Sequence, residues 1–311
     1  MYKVFFVCAG GLIAFLISAC AKTDSDTFFY GALGLGEGRI LVANSVATPP
    51  AHTVSMYTLS GEYLGVVSDT SQAGKLIRGL APLDAFNIVM ATDTPDELVS
   101  LNLLSGQLLP YAQNGLFTGN IFQVVRQSEG VYLAIESNNI EKFVNGQRTP
   151  AIGNAYIATP LGGCTINVAR GLAINQAGEL LVTSFTGGSI LRYDISGSVA
   201  TCLQSRASVG GQPLPIVSHP NGNAYFGAQT TDLIYEVDEA LAGTPTAITV
   251  AGPDINNPSA MAVLPNGNLL VASDGTDAIS EIDTSGNIVN ALFIENAFTT
   301  SVVDIFIIQP D

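Results

Sequence analysis

Residues 169–195 read ARGLAINQAGELLVTSFTGGSILRYDI. Three short runs lie in this stretch. Ala169–Ile174 (ARGLAI) is small and apolar. Leu180–Phe185 (LLVTSF) is a β-forming run that passes from leucine and valine to small and polar residues. Ser189–Ile195 (SILRYDI) alternates apolar and polar positions and stops at Ser196-Gly197. Each run has strand length, and the breaks between them carry Asn and Gly, residues that make tight turns. The stretch therefore reads as three successive antiparallel strands.

The middle run recurs along the chain as Ile40–Ser45 (ILVANS), Ile88–Asp93 (IVMATD), Val131–Glu136 (VYLAIE), Ala224–Gln229 (AYFGAQ) and Leu269–Asp274 (LLVASD), with starts 43 to 49 residues apart. That period matches one four-stranded blade of a β-propeller. Six copies give an all-β, six-bladed propeller of four-stranded antiparallel blades; seven blades follow instead if residues 28–35 (FFYGALGL) open an extra one. The third run recurs at Thr53–Leu59, Glu97–Leu103, Ile140–Val144, Leu233–Asp238 and Ala278–Asp283. Most copies lead into Ser-Gly or Asn-Gly, which accept the positive φ of hairpin turns. The first run is clearest again at Ile77–Ala81 (IRGLA) and Ser259–Leu264 (SAMAVL), where small residues suit a crowded axis. Repeat 1 lacks this run before Arg39, and Ser301–Ile308 (SVVDIFII) is a spare copy of it. The C-terminal strand is thus expected to complete the first blade and close the ring, which removes open sheet edges.

The cadence of residues 169–194, repeated from Pro258 to Asp283, resembles an NHL-type repeat, and more loosely the gluconolactonase-like and streptogramin-lyase-like propellers. The resemblance covers most of the chain as a pattern and is close in repeats 4 and 6. It implies fold more than function, because one fold hosts many activities. With no Trp in the chain, kinship to Trp-Asp repeats is weak. Gluconolactonase-like enzymes hold a divalent metal with Glu, Asn and Asp, and by that resemblance Asn44, Asp93, Glu136 and Asp274, at the ends of second strands, are the nearest analogues, with Ca²⁺ as the cofactor. The same residue types also cap turns with their side-chain oxygens, and that reading is preferred here. Arg78 and Arg170 occupy equivalent positions before Gly-Leu-Ala. They read either as an anion-facing pair at the funnel mouth or as partners of neighbouring carboxylates. His52 and His219 are the two histidines, and both are expected to be solvated or turn residues. No Gly-x-Ser-x-Gly elbow, His-Glu-x-x-His helix, phosphate loop or Cys-x-x-Cys pair occurs, so no catalytic residue is assigned.

Composition sets the frame. The chain has 311 residues, 47% hydrophobic and 12% charged, which excludes intrinsic disorder. A net charge of −15 repels phosphate backbones and argues against nucleic-acid binding. Lys3 followed by the apolar run Val4–Ile17 reads as a secretory signal. Its end, Ile17-Ser18-Ala19-Cys20, resembles the bacterial lipobox, which implies that 1–19 is removed and that Cys20 carries the lipid (diacylglycerol, palmitate-type chains). Residues 20–27 then form the lipidated cysteine and a short tether, and 28–311 the propeller. Ala21-Lys22 after the cysteine, in place of Asp, favours the outer membrane if the cell is Gram-negative. Cys8 leaves with the signal, so Cys164 and Cys202 remain as an even pair in an oxidising compartment, read as a disulfide with two buried thiols as the alternative. The resulting expectation is a monomeric, membrane-anchored envelope lipoprotein that acts as a binding scaffold for a protein or glycan. A metal-dependent hydrolase or lactonase is the alternative.

Overall fold

A computed structural model describes residues 2–8, 11–17, 35–45, 52–70, 75–112, 117, 119–150, 154–208, 210–249, 252–295 and 301–309. It contains six four-stranded antiparallel sheets, each a meander from the axis outward. Blade 2 runs Leu76–Pro82, Asn87–Asp93, Glu97–Asn102 and Leu108–Ala112. Blade 3 is Ile121–Ser128, Val131–Glu136, Asn139–Val144 and Gln147–Arg148. Blade 4 is Ala169–Ile174, Leu180–Ser184, Ser189–Asp194 and Thr201–Ala207. Blade 5 is Pro213–Ser218, Asn223–Ala228, Leu233–Asp238 and Thr246–Ala247. Blade 6 is Pro258–Val263, Leu269–Ser273, Ala278–Ile282 and Ile288–Ile294.

Blade 1 is the composite one. Its innermost strand is Val302–Ile308, paired antiparallel with Arg39–Ser45 in the register Val302↔Asn44 to Ile308↔Arg39. His52–Tyr57 and Tyr63–Asp69 complete it. The expected closure is therefore observed, and the count is six; residues 28–34, on which a seventh blade rested, lie outside the described residues. The N-terminal apolar run forms a two-stranded antiparallel hairpin, Tyr2–Cys8 with Gly11–Ile17, that joins no blade. Among the described residues no helix is long and apolar enough to cross a membrane.

Six apolar clusters fill the six seams between blades, and the second strands show why their sequences are continuously hydrophobic. Ile40 and Val42 pack into the seam with blade 6, while Leu41 and Ala43 pack into the seam with blade 2. Leu180 and Val182 face blade 3, and Leu181 faces blade 5. Successive side chains of a strand point to opposite faces. A second strand has a neighbour on each face, so consecutive positions are apolar until the polar end of the run. The outer strand of blade 4 has no such cover and alternates exposed and half-buried residues along Thr201–Ala207.

The hairpin glycines after the third strands have a reason beyond their backbone angle. A Cβ on Gly61 (φ +86°) would lie 2.4 Å from the Phe293 carbonyl oxygen of blade 6, and one on Gly106 (φ +68°) 2.5 Å from the Val67 carbonyl oxygen of blade 1. Each turn is pressed against the outer strand of the blade before it, closer than any side chain allows.

Blade 3 has an outer strand of only two residues, and the connection to blade 4 fills the space left. Tyr156, Ile157, Cys164 and Ile166 bury themselves in the seam between blades 3 and 4, and Ile157 bridges to Ile140 of the third strand. Cys164 on this connection is joined by a disulfide to Cys202 on the outer strand of blade 4, with the two Cα atoms 5.8 Å apart.

Candidate functional site

Every innermost strand carries a register irregularity near its start. It falls between Val302 and Asp304, Ile77 and Gly79, Ile121 and Val124, Ala169 and Leu172, Pro213 and Ile216, and Pro258 and Ala260. A bulge re-aims a side chain and interrupts the ladder, and it is over-represented beside functional sites. At least one residue from each bulge lines a cavity of about 400 Å³ at the axial mouth, among them Val303, Arg78, Phe122, Arg170, Leu214 and Ser259. The ladder donors freed by two of these bulges are satisfied across seams. The Leu80 N–H donates to Asp304 Oδ2 at 2.7 Å, and the Leu172 N–H donates to Gln123 Oε1 at 2.6 Å. Gln123, Ile216, Met261 and Asp304 also line the second cavity, which runs down the axis between the six innermost strands.

The register corrects the grouping of second-strand ends. Leu80↔Met90, Leu172↔Val182, Val124↔Ala134, Met261↔Val271 and Ile305↔Val42 are equivalent pairs. Counting two residues on from each second-strand partner aligns Asn44 and Glu136 with Thr92, Ser184 and Ser273. Counting three aligns Asp93 and Asp274 with Ser45 and Phe185. The four residues read as one set therefore belong to adjacent strand positions, which face opposite ways. Asn44 is fully buried, and its Oδ1 accepts from the Thr53 N–H at 2.9 Å and the Thr53 hydroxyl at 2.7 Å. Glu136 accepts from the Gly119 N–H at 2.7 Å and pairs with Arg148 Nη1 at 3.1 Å. Arg148 also pairs with the fully buried Glu141 at 2.8 Å, whose carboxyl is pushed up to about 7 by burial. Asp93 accepts from Arg78 Nη2 at 2.8 Å and from the Thr94 hydroxyl at 3.0 Å. Asp274 lines the mouth beside Ser259; its carboxyl is buried, and burial raises its pKa against the opposing hydrogen bond from the Ser259 side chain. Among the described residues no group of three or more His, Cys, Asp or Glu side chains is arranged to hold a metal.

The two arginines, equivalent in sequence, part company in the structure. Arg78 finds Asp93. The residue equivalent to Asp93 in blade 4 is Phe185, so Arg170 has no such carboxylate. Its guanidinium instead lies 3.7 Å from the Phe122 ring centroid and 5.8 Å from that of Phe185. Its Nη1 is buried without a hydrogen-bond partner. Burial, and next the charge of Arg78, lower its pKa from the usual value, although an arginine remains a cation at any physiological pH. Sequence reasoning assigned no role to Ser45, Gln229, Phe122 and Asp304, all of which line the mouth. The signal for three of them lay in the register of the repeat: Ser45 and Gln229 end second strands, and Phe122 stands where Arg78 and Arg170 do.

Neither histidine is solvated, although His219 does stand in the turn between the first and second strands of blade 5, as expected. His52 is 9% exposed at the start of a strand, and burial lowers its pKa. His219 is 7% exposed and ties blade 5 to blade 6: its Nε2 lies 2.8 Å from the Gly267 carbonyl oxygen, and Nδ1 accepts from the Asn221 N–H at 3.1 Å. Those partners assign the ring proton to Nε2.

No family model matches the chain, and no curated protein matches it. Solved structures do. The fold resembles a chain in the crystal structure of a nidogen/laminin complex, with TM-score 0.70 and 15% identity over 88% of this chain and 99% of that one. A putative 6-phosphogluconolactonase from Bacteroides fragilis matches with TM-score 0.58 and 16% identity over 88% and 98% of the two chains. A catalytically inactive virginiamycin B lyase from Staphylococcus aureus, solved with quinupristin, matches with TM-score 0.56 and 16% identity over 72% and 71%. Likenesses at this identity establish the architecture, a six-bladed β-propeller, and they span proteins of unrelated activity.

Proposed function

We propose that the protein is an envelope lipoprotein, anchored through Cys20, whose propeller is a binding scaffold for a protein or small ligand held at the axial mouth. The observation that carries this reading is Arg170 Nη1, buried in the mouth without a hydrogen-bond partner, in a cavity lined by both polar and apolar side chains. A concave site with a few convergent polar groups is the form of a small-molecule site. A stiff ring of blades also lowers the ordering cost of binding. The appearance of a similar propeller in a nidogen/laminin complex supports a protein partner.

The rival is a metal-dependent lactonase or hydrolase, which the likeness to a putative 6-phosphogluconolactonase brings forward. Against it stands the commitment of its ligands: Asp93 serves Arg78, Glu136 serves Arg148 and Asn44 serves Thr53. Metal content and a calcium titration followed by thermal melting decide between them. The scaffold reading expects no stoichiometric ion and no calcium-dependent shift. It also expects a photo-crosslinking residue at Gln229, on the mouth, to capture an envelope component in intact cells. A stoichiometric ion that is lost in Asp93→Asn would overturn it in favour of the hydrolase. Fractionation tests the anchor: Cys20→Ala should leave the membrane fraction.

A further inference from the structure

We infer that the mouth recognises a ligand monoanion, a carboxylate, carried on an apolar body beside a hydrogen-bond donor: the chemistry of an amino acid or of a peptide's C-terminal residue. The inference rests on the reading of the mouth as a binding site and specifies what enters it.

The argument starts from charge. Six bulges face the mouth, and two of them present arginine. Arg78 is neutralised by Asp93. Arg170 is stacked on Phe122, which fixes its plane, and makes no ion pair among the described residues. A half-buried cation is costly without a partner, and the cost is relieved when one arrives. An acidic protein of net charge −15 has no general attraction for anions, so binding at Arg170 has to come from local fit. The guanidinium edge matches a planar carboxylate, which it meets with parallel N–H donors.

Asp274 supplies the second half. Its carboxyl is buried beside the Ser259 side chain, and it lines the same cavity from blade 6 while Arg170 lines it from blade 4. A ligand reaching both brings its anion to one wall and an N–H to the other. Asp274 also disfavours a dianion, so phosphate is a poor fit. Leu214, Ile216, Met261 and Val303 line the space between, where an aliphatic side chain finds apolar cover. A cavity of about 400 Å³ accommodates a group of this size.

Calorimetry on the purified full-length protein tests this with leucine, leucinamide, isocaproate and inorganic phosphate. Leucine should bind. Leucinamide, which lacks the carboxylate, should bind at least about tenfold more weakly, and isocaproate, which lacks the amine, should fall between them. Phosphate should give no heat. Arg170→Gln should reduce leucine affinity by at least about tenfold, and Arg170→Lys should restore part of it. The ligand series on the unaltered protein needs no variant to fold. Tripeptides ending in leucine, with free or amidated C-terminus, separate the sources: tighter binding of the free-acid peptide than of leucine assigns a peptide end, and the reverse assigns a free amino acid. Equal binding of leucine and leucinamide, binding of phosphate alone, or no heat from any carboxylate would overturn the inference. If the Gln229 crosslink still captures a partner in that case, the scaffold reading stands and only the carboxylate falls. If neither occurs, both fall.

Discussion

At the scale of single residues, the axis holds one acid whose environment sets a pH dependence. Asp304 is buried, accepts from the Leu80 and Ile305 N–H groups, and has its carboxyl pushed up to about 7, first by burial. An acid with a raised folded-state pKa binds its proton more tightly in the fold than in the unfolded chain. Its stabilising contribution is complete below the unfolded value of 3.8 and is lost as pH rises through about 7. Glu141 shifts in the same direction. Melting temperature should therefore fall between about pH 4 and about pH 7, with up to about 4 kcal/mol at stake for Asp304. Asp304→Asn should flatten that slope, leaving the part due to Glu141. An unchanged slope in the variant would show that Asp304 is already ionised in the fold. The same scale shows how one substitution redirects a repeat. Asp93 in blade 2 and Phe185 in blade 4 stand at equivalent positions, and the exchange turns an ion-paired Arg78 into an Arg170 held by aromatic rings.

At the scale of elements, turns and seams cannot be separated. The Ser-Gly and Asn-Gly pairs after the third strands are legible in the sequence as hairpin signals. Their contact with the preceding blade is not, because it depends on where a distant outer strand arrives. Gly106 and Gly178 separate the two effects. Both have positive φ, +68° and +78°, but a Cβ at Gly178 would meet nothing within 4 Å. Gly178→Ala should cost only the backbone strain, about 1–2 kcal/mol. Gly106→Ala should cost roughly 1–3 kcal/mol more, as overpacking against Val67. Urea denaturation compares them, and equal losses would mean that the seam yields freely.

The sequence made the second strands plain, since both faces of each are covered and the run has no polar gap. It also made plain the innermost strands of blades 2, 4 and 6, where Gly and Ala mark the axis. It left Ile121–Ser128 and Pro213–Ser218 obscure, because Gln123 and Pro215 stand where the even-numbered blades have Gly79, Gly171 and Ala260. Large and small residues alternate around the axis there, which fits a tapering centre. Of the mouth, the equivalence of Arg78 and Arg170 was legible. The one-residue offset that separates Asn44 and Glu136 from Asp93 and Asp274 was not, because it depends on bulges that a pattern of apolar runs does not reveal.

At the scale of the whole molecule, the ring is a chain of six similar seams with no dominant core. Each blade is held from both sides, and the seam between blades 6 and 1 draws on Val302, Ile305 and Ile307 of the closing strand. A chain ending at residue 300 would leave Arg39–Ser45 as an open sheet edge beside half-empty seams. Such a chain should lose the single cooperative melt, and in size-exclusion chromatography it should run as an aggregate or swapped oligomer. A compact monomer with an unchanged melt would show that five complete blades suffice.

The pairing of residues 302–308 with 39–45 also governs timing. The first blade begins at the front of the chain and is finished by its far end, so a molecule made or threaded front-first has nothing to lock onto until almost all of it has passed. The rigid ring therefore exists only after residues 302–308 have arrived.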